Sequence, residues 1–310
     1  MGIITLFLRP QILCQQDENM NPVVLQNHLL KATFLPEVGM NLSSFQRGGV
    51  EVIDQSTRKE FEERYAGLGA LIGPHFHRRN PNSIAPIQQE DLFPHIARVR
   101  AKGIEDPFSH GIARYAPWKV EHVSEKKISA SLSGKDEWNG VPLAVLENQN
   151  FKLDFSAELV ENEMQIDYSV VSEKDSLVGL HYYYRLPNKR GMITTRVQKE
   201  CLNKGERKLA SELYPVDEQQ MLQLPLIDFV DTTFYPFPHH LEGDILLETE
   251  EYTLRTKYWC QSQENCWQLY HPKDASFVCV EPLSAQDPRH PNLTVSSIRV
   301  HLQILTGNHA

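Results

Sequence analysis

Four stretches of this 310-residue chain set ionisable side chains where they could do acid–base chemistry. In FSHGIARYAPW, residues 108–118, His110 stands against Gly111, and Arg114, Tyr115 and Trp118 follow. In VGLHYYYRLP, His181 interrupts an apolar and aromatic run, and in LPLIDFVDTTFYPF, Asp228 and Asp231 lie among apolar neighbours. In FVCVEPL, residues 277–283, Glu281 follows small or apolar residues and precedes Pro282. A carboxylate in such surroundings is costly unless it is hydrogen-bonded or protonated, so each acid is either a paired structural group or a functional one. Singly, each has a plain structural explanation: a satisfied core histidine, a strand end at Pro282, a turn at Asp231, a loop at His110-Gly111. Together they supply a carboxylate, two imidazoles and an aspartate, the groups that acid–base work on a sugar uses.

A competing set is His75 and His77 in GPHFHRR, which alternate along an extended segment and could chelate a metal. A double-stranded barrel site of that kind wants a carboxylate about four residues on, where Pro81 stands, and no acid follows until Glu90. No G-x-S-x-G elbow is present for a serine hydrolase.

The elements that must position these groups read as strands. In NFKLDFSAELVENEMQIDYSVV, apolar residues alternate from Phe151 to Leu159, and the phase switches after Glu161-Asn162-Glu163 to Met164, Ile166, Tyr168 and Val170. That is a long amphipathic hairpin with one buried face. The same period returns at Ile128–Leu132, Tyr252–Tyr258, Trp267–Leu269 and Ile298–Ile304, with turns at Ser133-Gly134, Pro187-Asn188, Glu242-Gly243 and Pro272-Lys273. A short helix is expected from Arg58, stopping at Gly67 or Gly69, and another from Asp217, ending before Pro225. No repeat, linker or low-complexity segment divides the chain. The expectation is an all-β fold of two packed antiparallel sheets with few short helices, function being carried on loops and on a concave sheet face. Residues 1–19 read as a loose extension, 20–306 as one domain and 307–310 as a tail.

Composition narrows the partners. A formal net charge of −9 argues against nucleic acid, yet leaves room for a local cluster that binds one phosphate. Five cysteines without CxxC spacing read as free thiols of a reducing, cytoplasmic setting. The apolar run Ile3–Leu8 is too short for a membrane span and lacks the flanks of a signal peptide.

Taken in order, the stretches resemble the aldose 1-epimerase (mutarotase) family, including its hexose-6-phosphate epimerase branch. ATFLPEVGMNLSSFQRGGVEVI resembles the family's opening strands, GPHFHRR its Pro-x-x-x-Arg segment and FSHGIARYAPW its His-Gly-Phe-Ala-Arg motif. VGLHYYYRLP resembles the strand His followed by Tyr-Phe, DTTF the Asp-x-x-Phe element and FVCVEP the strand of the catalytic Glu. Ile112 stands where the family has an aromatic residue. The resemblance spans about residues 25–305 and implies a β-supersandwich, needing neither cofactor nor metal. It implies an isomerase that opens and recloses an aldose or aldose phosphate ring, with Glu281 as general base, His181 as general acid kept protonated by the nearby carboxylate, and His110 assisting. Asp231 and Arg78 would hold hydroxyls, with Asp228 and Arg79 as rivals for those places. Arg114 would support its loop or bind substrate, and Trp118 would pack on the sugar or the core. Arg78, Arg79, Arg114, Arg185, Lys189 and Arg190 could form a cationic patch for a phosphorylated sugar. The partners implied are a small sugar or sugar phosphate, with no nucleic acid or membrane, for a monomer or homodimer. A carbohydrate-binding protein without turnover and a His-ligated metal enzyme are the alternatives.

Overall fold

A computed structural model describes residues 21–84 and 86–305; the expected extension, residues 1–19, and tail, residues 307–310, lie outside them. The strands form two antiparallel layers. One sheet runs, in spatial order, Val23–Gln26, Leu30–Leu35, Asn41–Arg47, Gly69–Ile72, Gly179–Arg185, Phe277–Leu283, Cys266–His271 and Val230–Pro236. The other runs Lys119–Val123, Lys127–Ser133, Phe151–Val160, Glu163–Ser172, Val295–Leu305, Thr253–Cys260 and Glu242–Glu248. The strand Met192–Asn203 belongs to both: its first half pairs with Glu242–Glu248 and Met221–Pro225, its second half with Val230–Pro236 and Glu206–Leu209. Its register shifts between Val197 and Cys201, where it passes from one layer to the other.

The hairpin expected around Glu161 is present, with Phe151 opposite Ser172 and Val160 opposite Glu163. Its alternating apolar set, Phe151 to Leu159 and Met164 to Val170, is buried between the layers. Each large side chain buried this way contributes roughly 1.5–3 kcal/mol. The opposing face supplies Leu180, Tyr182, Tyr184, Val278, Val280, Trp267, Leu269 and Phe234. Trp267 stacks on Phe234 at 4.8 Å and 23°.

The helix from Arg58 ends at Arg64, where Tyr65 takes a left-handed conformation. Further short helices, Pro94–Arg100, Leu143–Glu147 and Ala210–Leu213, were not anticipated. The helix expected from Asp217 is instead a turn leading into the strand Met221–Pro225, because pairing with Met192–Arg196 outweighs the helix propensity of Glu, Gln and Leu. Gly243 lies inside a strand rather than a turn, where a Cβ would meet the Tyr258 ring at 2.2 Å. Among the described residues no helix is long and apolar enough to cross a membrane.

Candidate active site

Strand parity assembles the site. In Gly179–Arg185, Leu180, Tyr182 and Tyr184 point into the core, so His181 and Tyr183 point to the other face of the sheet. In Phe277–Leu283, Val278 and Val280 go inward, leaving Phe277, Cys279 and Glu281 outward; in Cys266–His271, Gln268 and Tyr270 do the same. Register then lines these residues up across the strands. Gly179 faces Leu283 and Tyr183 faces Cys279, so His181 lies opposite Glu281. Glu281 faces Gln268, which faces Thr233, giving the row His181, Glu281, Gln268, Thr233. The neighbouring row is Tyr183, Cys279, Tyr270, Asp231.

Above these rows, residues 73–84 and 86–115 leave the sheet and double back over it as a flap, enclosing a cleft of about 500 Å³. His77, Arg78, Lys102, His110 and Arg114 reach into it from the flap, and Arg289 from the loop after the Glu281 strand. The His110-Gly111 step makes the return possible. Gly111 has φ +86°, and a Cβ there would lie 2.0 Å from the Gly73 carbonyl oxygen. Glycine alone fits this close crossing. The crossing is fixed by the Gly73 N–H donating to the His110 carbonyl and the Ala113 N–H donating to the Gly73 carbonyl. Behind the flap, Glu147 accepts from the Ile112 N–H and holds His75 Nδ1, while Asp106 grips the Arg79 guanidinium at 2.8 Å.

The His77 N–H donates to His110 Nδ1 at 3.2 Å, so the proton of a neutral His110 sits on Nε2. Burial, and next the Arg114 guanidinium, push the His110 pKa well down, which keeps it a neutral donor. Its ring meets His181 edge to face at 4.9 Å. His181 Nε2 stands 3.5 Å from Glu281 Oε1. Both residues are buried, and His181 Nδ1 and Glu281 Oε2 have no hydrogen-bond partner among the described residues. Burial drives the Glu281 pKa well above the carboxylate range, Arg114 opposing and Asp231 reinforcing it. Burial drives His181 well below the imidazole range. Desolvation thus acts against the charged form of both members of the pair, so the expected protonation of His181 by its carboxylate neighbour works against burial.

The structure separates the rival residues. Arg78 lines the cleft, whereas Arg79 is committed to Asp106 and to the Leu146 carbonyl. Asp231 lines the cleft and is oriented by Gln268, which donates to it while accepting from Thr233; Asp228 lies on an exposed turn. Arg114 is buried, with Nε and Nη2 unpartnered, and faces the cleft. Trp118 does not line it. The indole is buried against Phe155 and Tyr168 and donates to the Ala113 carbonyl, bracing the His110–Arg114 turn from the core side. His75 and His77 do not form a pair either: the strand ends at Ile72, His75 is held by Glu147 and Asp106 behind the flap, and only His77 faces the cleft. Of the expected cationic patch, Arg185 pairs with Glu251 and, with Lys189 and Arg190, lies outside the cleft lining.

Sequence reasoning missed Gln268, Lys102 and Arg289. Alternation in CWQLY, where Trp267 and Leu269 go inward, could have pointed to Gln268; the two cations sit in loops that carry no pattern.

No protein-family model and no curated protein sequence matches the chain. Solved structures do match. A protein from Escherichia coli K12, described provisionally as an aldose 1-epimerase, superposes with a TM-score of 0.66 at 15% identity, covering 93% of this chain and 100% of that one. The GalM/aldose epimerase homologue from C. elegans gives 0.65 at 15% identity, with 93% and 100% covered. A galactose mutarotase-like protein from Lactobacillus casei ATCC 334 gives 0.62 at 13%, with the same coverage. Over nearly its whole described length, then, this chain has the galactose mutarotase-like fold.

Proposed function

We propose that the chain is a carbohydrate epimerase that interconverts the α and β anomers of an aldose carrying an anionic group, such as a phosphate. The observation that carries this reading is the buried His181–Glu281 contact of 3.5 Å at the floor of a cleft lined by hydroxyl-binding and cationic groups.

The chemistry needs one proton removed and one supplied. With the pair's proton on His181, Glu281 accepts the proton of the anomeric hydroxyl. His181 gives its proton to the ring oxygen as the bond from the anomeric carbon to that oxygen breaks and a carbonyl forms. After rotation about the adjoining carbon–carbon bond, the new hydroxyl attacks the other carbonyl face, and the two residues exchange roles. Such positioned acid–base groups contribute ~10²–10⁴-fold each. A bound hydroxyl supplies the partner that Glu281 Oε2 lacks, and hydrogen bonding to the carboxylate form lowers its pKa. Neutral His110 donates from Nε2 toward the oxygen on which charge develops. Asp231, fixed by Gln268, accepts from sugar hydroxyls.

The anionic group follows from charge. Among the cleft-lining residues, Arg64 is paired with Glu60 and Asp106 with Arg79. Arg78, Lys102, Arg114 and Arg289 have no such partner among the described residues. Burial first, and then the nearby Arg289 and Arg78 charges, depress the His77 pKa, so both guanidiniums act on this part of the cleft. Guanidinium forks match phosphate oxygens.

The test is anomer exchange followed by NMR or polarimetry on free and phosphorylated aldoses. Acceleration is expected for the phosphorylated sugar, with kcat/KM falling ~10–100-fold in Arg78→Ala or Arg289→Ala, the worth of one charge-assisted hydrogen bond. Neutral sugars should be little affected by either change. No acceleration of any aldose over the uncatalysed rate would end the proposal.

A further inference from the structure

The mechanism leaves one buried nucleophile beside the acid–base pair unused, Cys279. It lies two residues before Glu281 on the same face of its strand and diagonally across from His181. One ligand atom from each of His181, Cys279 and Glu281 lies within 4.8 Å of the others, and all three residues are buried. Two of those side chains present a polar atom with no partner, His181 Nδ1 and Glu281 Oε2. We infer that these three side chains form a site for a thiophilic divalent cation, zinc above all, and that zinc bound there shuts the acid–base pair off.

The donor set decides the ion. Nitrogen, sulfur and oxygen at ~2.0–2.3 Å from a tetrahedral zinc stand roughly 3.3–3.8 Å from one another, with the fourth position open to water or a ligand. The separation of 3.5 Å between His181 Nε2 and Glu281 Oε1 already fits. The wider spacings need to close by about 1 Å to meet tetrahedral zinc geometry, within reach of side-chain rotation. Magnesium and calcium demand six or more oxygen ligands, which this trio lacks. Zinc, a Cys279 thiolate, a Glu281 carboxylate and a neutral His181 sum to zero charge, so the filled site carries no net charge into a low-dielectric floor. On binding, the thiol proton and the carboxyl proton leave to solvent, and nothing is oxidised or reduced. The ion ties up the acid and the base together and claims the charge each needs to exchange protons, so sugar turnover stops.

The inhibitory consequence rests on the epimerase reading; the binding does not, and the experiment separates them. Cobalt(II) titrated into the wild-type protein is expected to show a thiolate-to-cobalt charge-transfer band in the near ultraviolet, lost when zinc is added. Cys279→Ser should abolish that band, and Cys201→Ser, on a distant strand, should leave it. Zinc should raise the melting temperature of the wild type, as any ligand of the folded state does. It should also inhibit anomer exchange, while Cys279→Ser keeps its basal exchange and needs at least ~10-fold more zinc for the same inhibition. A cobalt band without any exchange activity would keep the metal site and remove the epimerase. No thiolate band in the wild type, or a band that survives in Cys279→Ser, overturns the site; full exchange under saturating zinc overturns the shut-off. Should Cys279→Ser fail to fold, the wild-type band together with its loss in Glu281→Gln decides the matter.

Discussion

Replacing Gly111 by alanine tests whether the His110-Gly111 crossing is what presents the histidine. At φ +86° and ψ 162°, Gly111 occupies backbone space that is essentially reserved for glycine, and forcing another residue into it costs ~1–3 kcal/mol. The added methyl would also lie 2.0 Å from the Gly73 oxygen, 2.3 Å from its carbon and 2.8 Å from the Pro74 nitrogen. These are backbone atoms and cannot swing aside. Relieving the clash means separating the two chain segments and losing the Gly73–His110 and Ala113–Gly73 hydrogen bonds of 2.9 and 3.0 Å, at ~0.5–1.5 kcal/mol each. The sum is ~2–6 kcal/mol, a large share of the ~5–15 kcal/mol that holds a typical protein folded. Gly49 is a matched control. It has the same φ of +86° with nothing within 4 Å of its would-be methyl, so its substitution carries only the conformational part, ~1–2 kcal/mol. Urea or thermal unfolding of both variants gives the difference directly. Because the crossing sets His110 and Arg114, anomer exchange per folded molecule should also fall ~10²-fold in Gly111→Ala, the effect of about 1 Å of misplacement. Equal stability losses in the two variants, with exchange intact, would refute the reasoning.

Three further outcomes are expected. Glu281→Gln should lower exchange by at least ~10²-fold while sugar binding changes far less, because binding contacts are spread over the cleft. Its melting temperature should hold or rise, since burial already disfavours the carboxylate; unchanged exchange would remove Glu281 from the mechanism. His95, buried between Tyr115 and Trp138 in stacked contact, has its pKa pushed by burial down to about 4 from 6.5. A depressed imidazole stabilises the fold above pH 6.5 and surrenders that stability as pH falls toward 4; at ~1.4 kcal/mol per pH unit the loss is about 3–4 kcal/mol. His95→Phe should flatten that acid limb of the stability profile, and a limb identical to wild type would contradict the assignment. Trp118→Phe removes the hydrogen bond to Ala113 from the core side, so it should lower stability by ~1 kcal/mol and leave KM nearly unchanged; a large KM rise would return the indole to the sugar site.

The fold was legible wherever one face of a strand is buried and the other wet. Phe151 to Leu159 and Met164 to Val170 alternate for that reason, and their register follows from the pattern. It was legible as chemistry where both faces of a strand are buried yet one is polar: His181 and Glu281 stand out because their neighbours Leu180, Tyr182 and Val280 are core. Met221–Pro225 misled because its strand character comes from a distant partner while its local composition favours helix. Trp118 stayed open between sugar and core because an indole beside a His-Gly step serves equally as a sugar platform or as a brace, and only the third dimension shows the brace. Lys102 and Arg289 could not be found at all. They are loop charges whose meaning arises only when the flap and the loop after Glu281 face each other across the cleft.

The strand Met192–Asn203, shared between layers, also governs how the chain can come apart and assemble. Neither layer can complete its order before this strand is seated in both. The floor of the cleft further requires Gly69–Ile72 to find Gly179–Arg185, a closure over more than a hundred residues. Such non-local pairing places late, slow steps on the folding route. Once seated, the strand ties the two layers covalently through Val197 to Cys201, so the sheet that bears Glu281 and the far layer share one continuous element.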